Sequence, residues 1–255
     1  METLNITRKE NYAITQLSRG KANPINAQMV NELREVFSDF SNDDTIGGII
    51  LTGTPGFFSA GLDVIELYGY NEQEIRDFLY AFGSLHVEMT RFSKPFICAI
   101  TGYCPAGGTV FAITADYRVM INDPKFSLGL NEMKVNVQIT KNLIVSYAFW
   151  LGDGVSNRFV LEGKLLNPEE GLKYNLLDKI TDPEDVMPAA EKKMKEYLQA
   201  DPDIFAYSKQ QIRQKWYDAQ DVEGTTDLEQ ALKIWWKPEI RQRMKMLIDS
   251  FSKKK

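Results

Sequence analysis

Two cysteines and one histidine are the only thiol and imidazole groups in this 255-residue chain. Cys98 and Cys104 are separated by five residues, which suits neither a disulfide framework nor a zinc site, so no metal is expected and a reducing cytoplasm is the expected compartment. His86 falls within a helical pattern with no nucleophile close in sequence, which argues against a catalytic triad or a histidine-based metal site. No stretch approaches the roughly 18 consecutive apolar residues that a membrane span needs. The first residues, Met1-Glu2-Thr3-Leu4-Asn5, include an acid and lack the character of a secretory signal or transit peptide. The last, Ser252-Lys253-Lys254-Lys255, are not the Ser-Lys-Leu peroxisomal address. A basic excess is missing too: 30 Lys and Arg stand against 35 Asp and Glu, a net charge of −5. Nucleic acid is therefore not an expected partner, and an anionic substrate would need a local basic patch.

What the chain does have is apolar residues, 44% of the total, enough for one large domain or two small ones. Alternation over residues 11–17 predicts a strand. Met29, Val30, Leu33, Val36, Phe37 and Phe40 recur at helical spacing and predict an amphipathic helix over 26–40. Short apolar runs at 46–53, 96–101 and 117–121 read as buried parallel strands, with a weaker one near 177–180. Helices are expected over about 71–91 and 107–115, so the βα alternation argues for a parallel α/β sheet with right-handed crossovers. Beyond about residue 182 the pattern is helical only, with segments near 184–198, 203–219, 226–236 and 238–251. The last carries Ile240, Met244, Leu247, Ile248 and Phe251 on one stripe, which must pack on the core or on another chain.

Two glycine-rich turns each leave a buried strand and enter a helix. The first is Thr54-Pro55-Gly56-Phe57-Phe58-Ser59-Ala60-Gly61-Leu62-Asp63-Val64, and the second is Thr101-Gly102-Tyr103-Cys104-Pro105-Ala106-Gly107-Gly108-Thr109. Small residues allow close approach of a ligand to the main chain, and N–H groups at a helix start lack intrahelical partners. Two such turns at neighbouring strand ends could supply two donors to one developing oxyanion. Glycine use alone suits a tight structural turn equally well.

Phe58-Ser59-Ala60-Gly61-Leu62-Asp63, then Cys104-Pro105-Ala106-Gly107-Gly108 with Ala115-Asp116-Tyr117-Arg118 downstream, and Gly129-Leu130-Asn131-Glu132, together resemble the motifs of the crotonase (enoyl-CoA hydratase/isomerase) superfamily. Within it they look most like the delta3,delta2-enoyl-CoA isomerases. The resemblance spans nearly the whole chain and is strongest between residues 46 and 134. It implies a spiral ββα core with its CoA site over residues 1–190 and a C-terminal helical trimerisation region over 191–255. It also implies oxyanion donors at the Ala60 and Gly107 N–H groups, and a CoA site lined by Ala60, Gly61, Leu62, Asp63 and Val64. The partner implied is an acyl-CoA thioester, CoA being part of the substrate rather than a cofactor, and the assembly a homotrimer or a dimer of trimers.

The same resemblance bears on the reaction. Hydratases of this kind use two glutamates, and at the first of those positions this chain has Val110. The second matches Glu132, with Asn131 at a position linked to substrate binding. One carboxylate is enough for a 1,3-proton shift, so isomerisation of a 3-enoyl-CoA to a 2-enoyl-CoA is the expected activity. Hydration, dienoyl isomerisation, thioester hydrolysis or CoA binding without turnover are the alternatives. Leu128, Leu130 and Met133 are expected as apolar walls raising the pKa of Glu132. Where the family often has a glycine and a proline, residues 135–139 read Val135-Asn136-Val137-Gln138-Ile139, so the pocket floor is expected to differ there. Arg19 and Lys21 are candidates for CoA phosphates, or simply a solvated turn. Arg241 and Lys245 of the last helix could likewise reach a neighbour's CoA. Cys104 is read as a buried small thiol, Ser59 lacks the context of a nucleophile elbow, and Trp216, Trp235 and Trp236 are read as packing anchors or subunit contacts.

Overall fold

Short apolar runs become the central strands, and the chain between them repeats one path. The computed structural model describes residues 1–135, 137–222 and 225–252. It opens with β1 (Leu4–Arg8), β2 (Ala13–Leu17) and α1 (Ala27–Asn42), followed by β3 (Ile49–Thr52), β4 (Gly56–Phe57), α2 (Val64–Tyr68) and α3 (Glu72–Arg91). Next come β5 (Phe96–Ile100), β6 (Gly102–Pro105), α4 (Gly107–Ala112), β7 (Tyr117–Ile121), β8 (Leu128–Gly129) and α5 (Glu132–Val135). Then follow α6 (Lys141–Leu151), α7 (Asp153–Glu162), α8 (Pro168–Lys173), β9 (Lys179–Thr181) and α9 (Val186–Tyr197). The remaining helices are α10 (Pro202–Ala219), α11 (Thr225–Trp235) and α12 (Pro238–Ser252).

The larger sheet has the order β1-β2-β3-β5-β7-β9, and the smaller one β4-β6-β8. Only β1 with β2 is antiparallel; Ile49 pairs with Phe96 and Ile97 with Tyr117 in parallel register. After β3, β5 and β7 the chain steps into the smaller sheet and then into a helix, so both sheets advance together as ββα turns. The step needs glycine where backbones cross: a Cβ on Gly102 would stand 2.1 Å from the Gly56 backbone, and one on Gly53 2.2 Å from Phe57 O.

The stripe of α1 is buried as its spacing implies, and Phe37 meets Phe92 and Phe96 edge-on at 5.2 and 5.1 Å. Helix α3 starts at a capping box made by Asn71 and Glu74, which satisfies donors that have no intrahelical acceptor. Asp116, at the start of β7, accepts from Phe96 N and pairs with Lys209 and Arg213 of α10 at 2.7 and 2.8 Å. Both cations are almost completely buried, so this cluster holds α10 to the core.

Several elements differ from the sequence expectation. β1, the short strands β4, β6 and β8, and α5 to α8 carry too few residues or too mixed a pattern to read by period. Helix α9 lies within the segment expected near 184–198 and buries Val186, Ala190 and Met194 against the sheet. The last two helices turn back over their own chain. Arg241 donates to Tyr68 O at 2.7 Å and lies 3.7 Å over the Tyr68 ring. Asn142 makes two bonds to the Asp221 main chain, at 2.8 and 2.7 Å, and the Asp227 carboxylate accepts from Lys141 N at 2.6 Å. No helix among the described residues is long and apolar enough to cross a membrane.

Candidate active site

The first glycine-rich turn lies alongside residues 22–25. Asn23, at φ 48°, donates to Phe58 O at 3.1 Å and accepts from Arg19 N at 3.0 Å, and Ser59 Oγ donates to Asn23 O at 2.7 Å. Against this frame Ala60 N–H donates to Ala22 O and Asp63 N–H to Ile25 O, both at 2.8 Å, while Gly61 N–H donates to Ser59 Oγ at 3.1 Å. The expected donor at Ala60 is therefore already engaged. Leu62 N–H is the one in this stretch that meets no acceptor among the described residues.

The second turn delivers Gly107 as the first residue of α4, where an N–H has no intrahelical partner. Ala106 before it sits at φ 47°, in the left-handed region that an alanine occupies only under strain. Its N–H is held by Gly129 O at 2.9 Å, and Thr109 Oγ1 braces the turn between Cys104 O and Gly129 N. The two turns touch: a Cβ on Gly107 would lie 3.3 Å from Gly61 Cα and 3.4 Å from Leu62 N. Two unengaged N–H groups thus stand side by side.

Leu62, Gly107 and Glu132 line one cavity together with Val110, Val137, Gln138 and Leu143. Glu132 opens α5 and is 6% exposed, and its Oε2 has no hydrogen-bond partner. Burial pushes its pKa up to about 7, only partly opposed by its own backbone N–H, so near neutral pH it can both take and return a proton. The walls are not those expected. Leu128 and Leu130 are packed in the core and Met133 is exposed, whereas Val110, Val137 and Leu143 face the cavity. Asn131 is half-buried and lies outside the lining. Of residues 135–139, Val137 and Gln138 do form part of the cavity wall; Asn136 lies outside the described residues.

The sequence profile of the enoyl-CoA hydratase/isomerase family matches residues 7–254. The chain belongs to this family. Enoyl-CoA delta isomerase 1, mitochondrial, of Mus musculus is 27% identical over 244 residues, covering 95% of this chain and 84% of the relative. The Rattus norvegicus protein of the same name is 34% identical over 184 residues, covering 71% and 63%. Carnitinyl-CoA dehydratase of Escherichia coli K12 is 28% identical over 215 residues, covering 83% and 80%. The human mitochondrial delta3-delta2-enoyl-CoA isomerase has the same fold, with a TM-score of 0.94 at 23% identity over 99% of both chains.

In this member of the enoyl-CoA hydratase/isomerase family, the other sequence candidates have defined places. Val110 is buried and lines the cavity. Asp63 caps α2 through Glu66 N and pairs with Arg19 at 2.6 Å. Arg19 also pairs with Glu66 at 2.8 Å, so its guanidinium braces the first turn. Lys21 is exposed. Cys104 is fully buried, and burial pushes its thiol far up, consistent with a packing role. Trp216 donates to Ser146 Oγ at 3.0 Å. Sequence reading missed that His86 and Trp235 reach the cavity: they lie far along the chain from the motifs, on α3 and on the returning α11.

Proposed function

We propose that this enzyme moves the double bond of a 3-enoyl-CoA to position 2, with Glu132 as the single base and the Leu62 and Gly107 N–H groups as the oxyanion hole. The observation that carries this reading is one buried, proton-poised carboxylate sharing a cavity with two unengaged N–H donors, while Val110 occupies the place of a second glutamate. Glu132 removes a proton from C2, the electron pair spreads over the dienolate, and the thioester oxygen accepts from both N–H groups. The same carboxyl group then returns the proton at C4, so the new double bond lies between C2 and C3. Donors fixed before the charge develops need little reorganisation, and one such donor is worth ~10²–10³ in turnover.

The main chain from Ala60 to Val64 would receive the CoA end of the substrate. The names of the mouse and rat relatives support isomerisation, and Val110 counts against hydration, which needs a second acid-base group. A homotrimer or dimer of trimers is the assembly we favour. Ile204, Tyr207 and Ile212 of α10, exposed at 65%, 65% and 71%, are the apolar side chains it would cover. The direct test is conversion of a 3-enoyl-CoA by wild type and Glu132→Ala. Loss of conversion in the variant supports the assignment; equal rates in the two, or water addition as the main wild-type reaction, would overturn it.

A further inference from the structure

The cavity around Glu132 has a polar side that proton transfer does not use. His86, on α3, lines it and is 1% exposed. Its Nε2 lies 2.8 Å from Ser146 Oγ, a hydroxyl that accepts the Trp216 indole N–H and donates to Asn142 O at 2.8 Å. The Ser146 hydroxyl can turn its hydrogen to Asn142 O or to Nε2, so this contact serves either tautomer, and Nδ1 is an acceptor or a donor accordingly. Nδ1 is buried and has no protein partner. Burial pushes the ring's pKa down to about 4, with the Val110 backbone opposing, so the imidazole is neutral at physiological pH.

Two further lining residues share this property. Trp235 of α11 is 6% exposed with an unpartnered Nε1, and Gln138 has a buried, unpartnered Oε1. An aliphatic chain filling the cavity would leave all three groups unsatisfied, and buried polar groups in proteins are rarely left so. A hydroxyl both donates and accepts: it can donate to His86 Nδ1 or Gln138 Oε1 and accept from Trp235 Nε1. A carboxylate on the chain is disfavoured, because Glu132, Asp221 and Asp227 all reach the lining.

We infer that the acyl pocket selects enoyl thioesters that carry a hydroxyl group farther along the chain, held by His86, Gln138 and Trp235. The inference rests on reading the cavity as an acyl-CoA site. Sites built to hydrogen-bond a substrate hydroxyl discriminate against the analogue that lacks it, because their own polar groups are then left unpaired.

The test is calorimetric binding of short, medium and long saturated acyl-CoAs, each beside its ω-hydroxy counterpart, to wild type, His86→Phe and Gln138→Met. Wild type should bind the hydroxylated member of at least one pair about tenfold more tightly, the size of one net hydrogen bond. Each variant should bring that ratio toward one, and the half-buried Gln138 position gives a readout even if His86→Phe folds poorly. A wild-type ratio of one or below in every pair overturns the inference, as does a preference that both variants retain. Turnover of an unsubstituted 3-enoyl-CoA by the same preparation separates the two levels. A binding preference without isomerisation defeats the proposed reaction alone, isomerisation without the preference defeats only the hydroxyl selection, and no binding of any acyl-CoA defeats both.

Discussion

Gly107 and Leu62 meet main chain to main chain: a Cβ on Gly107 would lie 3.4 Å from Leu62 N and 2.8 Å from Ile25 Cδ1. Gly107→Ala must therefore displace the Ile25 side chain or separate the two turns. Because the Ile25 tip can move, the variant is expected to fold, with an unchanged circular dichroism spectrum. The donors, however, lose their common focus, and kcat should fall by ~10²–10³ with a smaller change in KM. Steady-state kinetics on a 3-enoyl-CoA checks this.

In the proposed reaction Glu132 must be ionised to accept the first proton. Since burial sets its pKa at about 7, kcat/KM should rise with pH through about 7 and then level off. Glu132→Gln should abolish this limb together with the activity. A pH profile in which the rate is flat from acid to neutral pH would contradict the assignment.

The same shift makes a claim on stability. The carboxyl's pKa is higher in the folded chain than its unfolded value of 4.5, so the folded state binds more protons between those two values. Stability is therefore fully present below about 4.5 and is lost as pH rises through about 7. The loss is on the order of 3 kcal/mol from the size of the shift. Glu132→Gln carries no charge to desolvate and should be more stable than wild type at alkaline pH, with the gap closing in acid. Urea denaturation at the two extremes measures the difference.

Val110→Glu restores a second carboxylate to the cavity wall. Val110 is 1% exposed, so the substitution should destabilise the fold by a few kcal/mol, the usual scale for burying an unpaired polar or charged group. Water addition to a 2-enoyl-CoA should rise above the wild-type level, read as 3-hydroxyacyl-CoA formed.

Asp116→Asn tests the cluster that anchors α10. It leaves Lys209 and Arg213 buried without their countercharge, and removing one partner of such a group costs about 3–5 kcal/mol. Chemical denaturation should show that loss.

The long elements were legible because they repeat one period for several turns. The α1 stripe from Met29 to Phe40 and the apolar runs of β5 and β7 are the clearest cases. β4 and β8 span two residues each, too few to show any alternation, so the second sheet entered only through the family resemblance. At the candidate site, Gly107 and Glu132 could be named from motifs, but on the first turn the N–H that meets no acceptor among the described residues is that of Leu62, two residues beyond Ala60. What decides between the two N–H groups is the hydrogen bond from Ala60 to Ala22, a tertiary contact that a local motif does not encode. His86 and Trp235 illustrate the same limit, since their periodicity shows buried helix faces without showing what those faces enclose.

The return of α11 and α12 over the cavity also sets an order on synthesis. The motif turns and Glu132 all leave the ribosome well before Leu228, Trp235 and Met244, which complete the cavity lining. A nascent chain can thus bring Glu132 and the Leu62 and Gly107 N–H groups together while the cavity is still open to water. Closure waits for Asp221 to be gripped by Asn142 and for Arg241 to settle over Tyr68. The enclosed cavity is therefore completed late in the chain's biogenesis, after the groups that face one another within it.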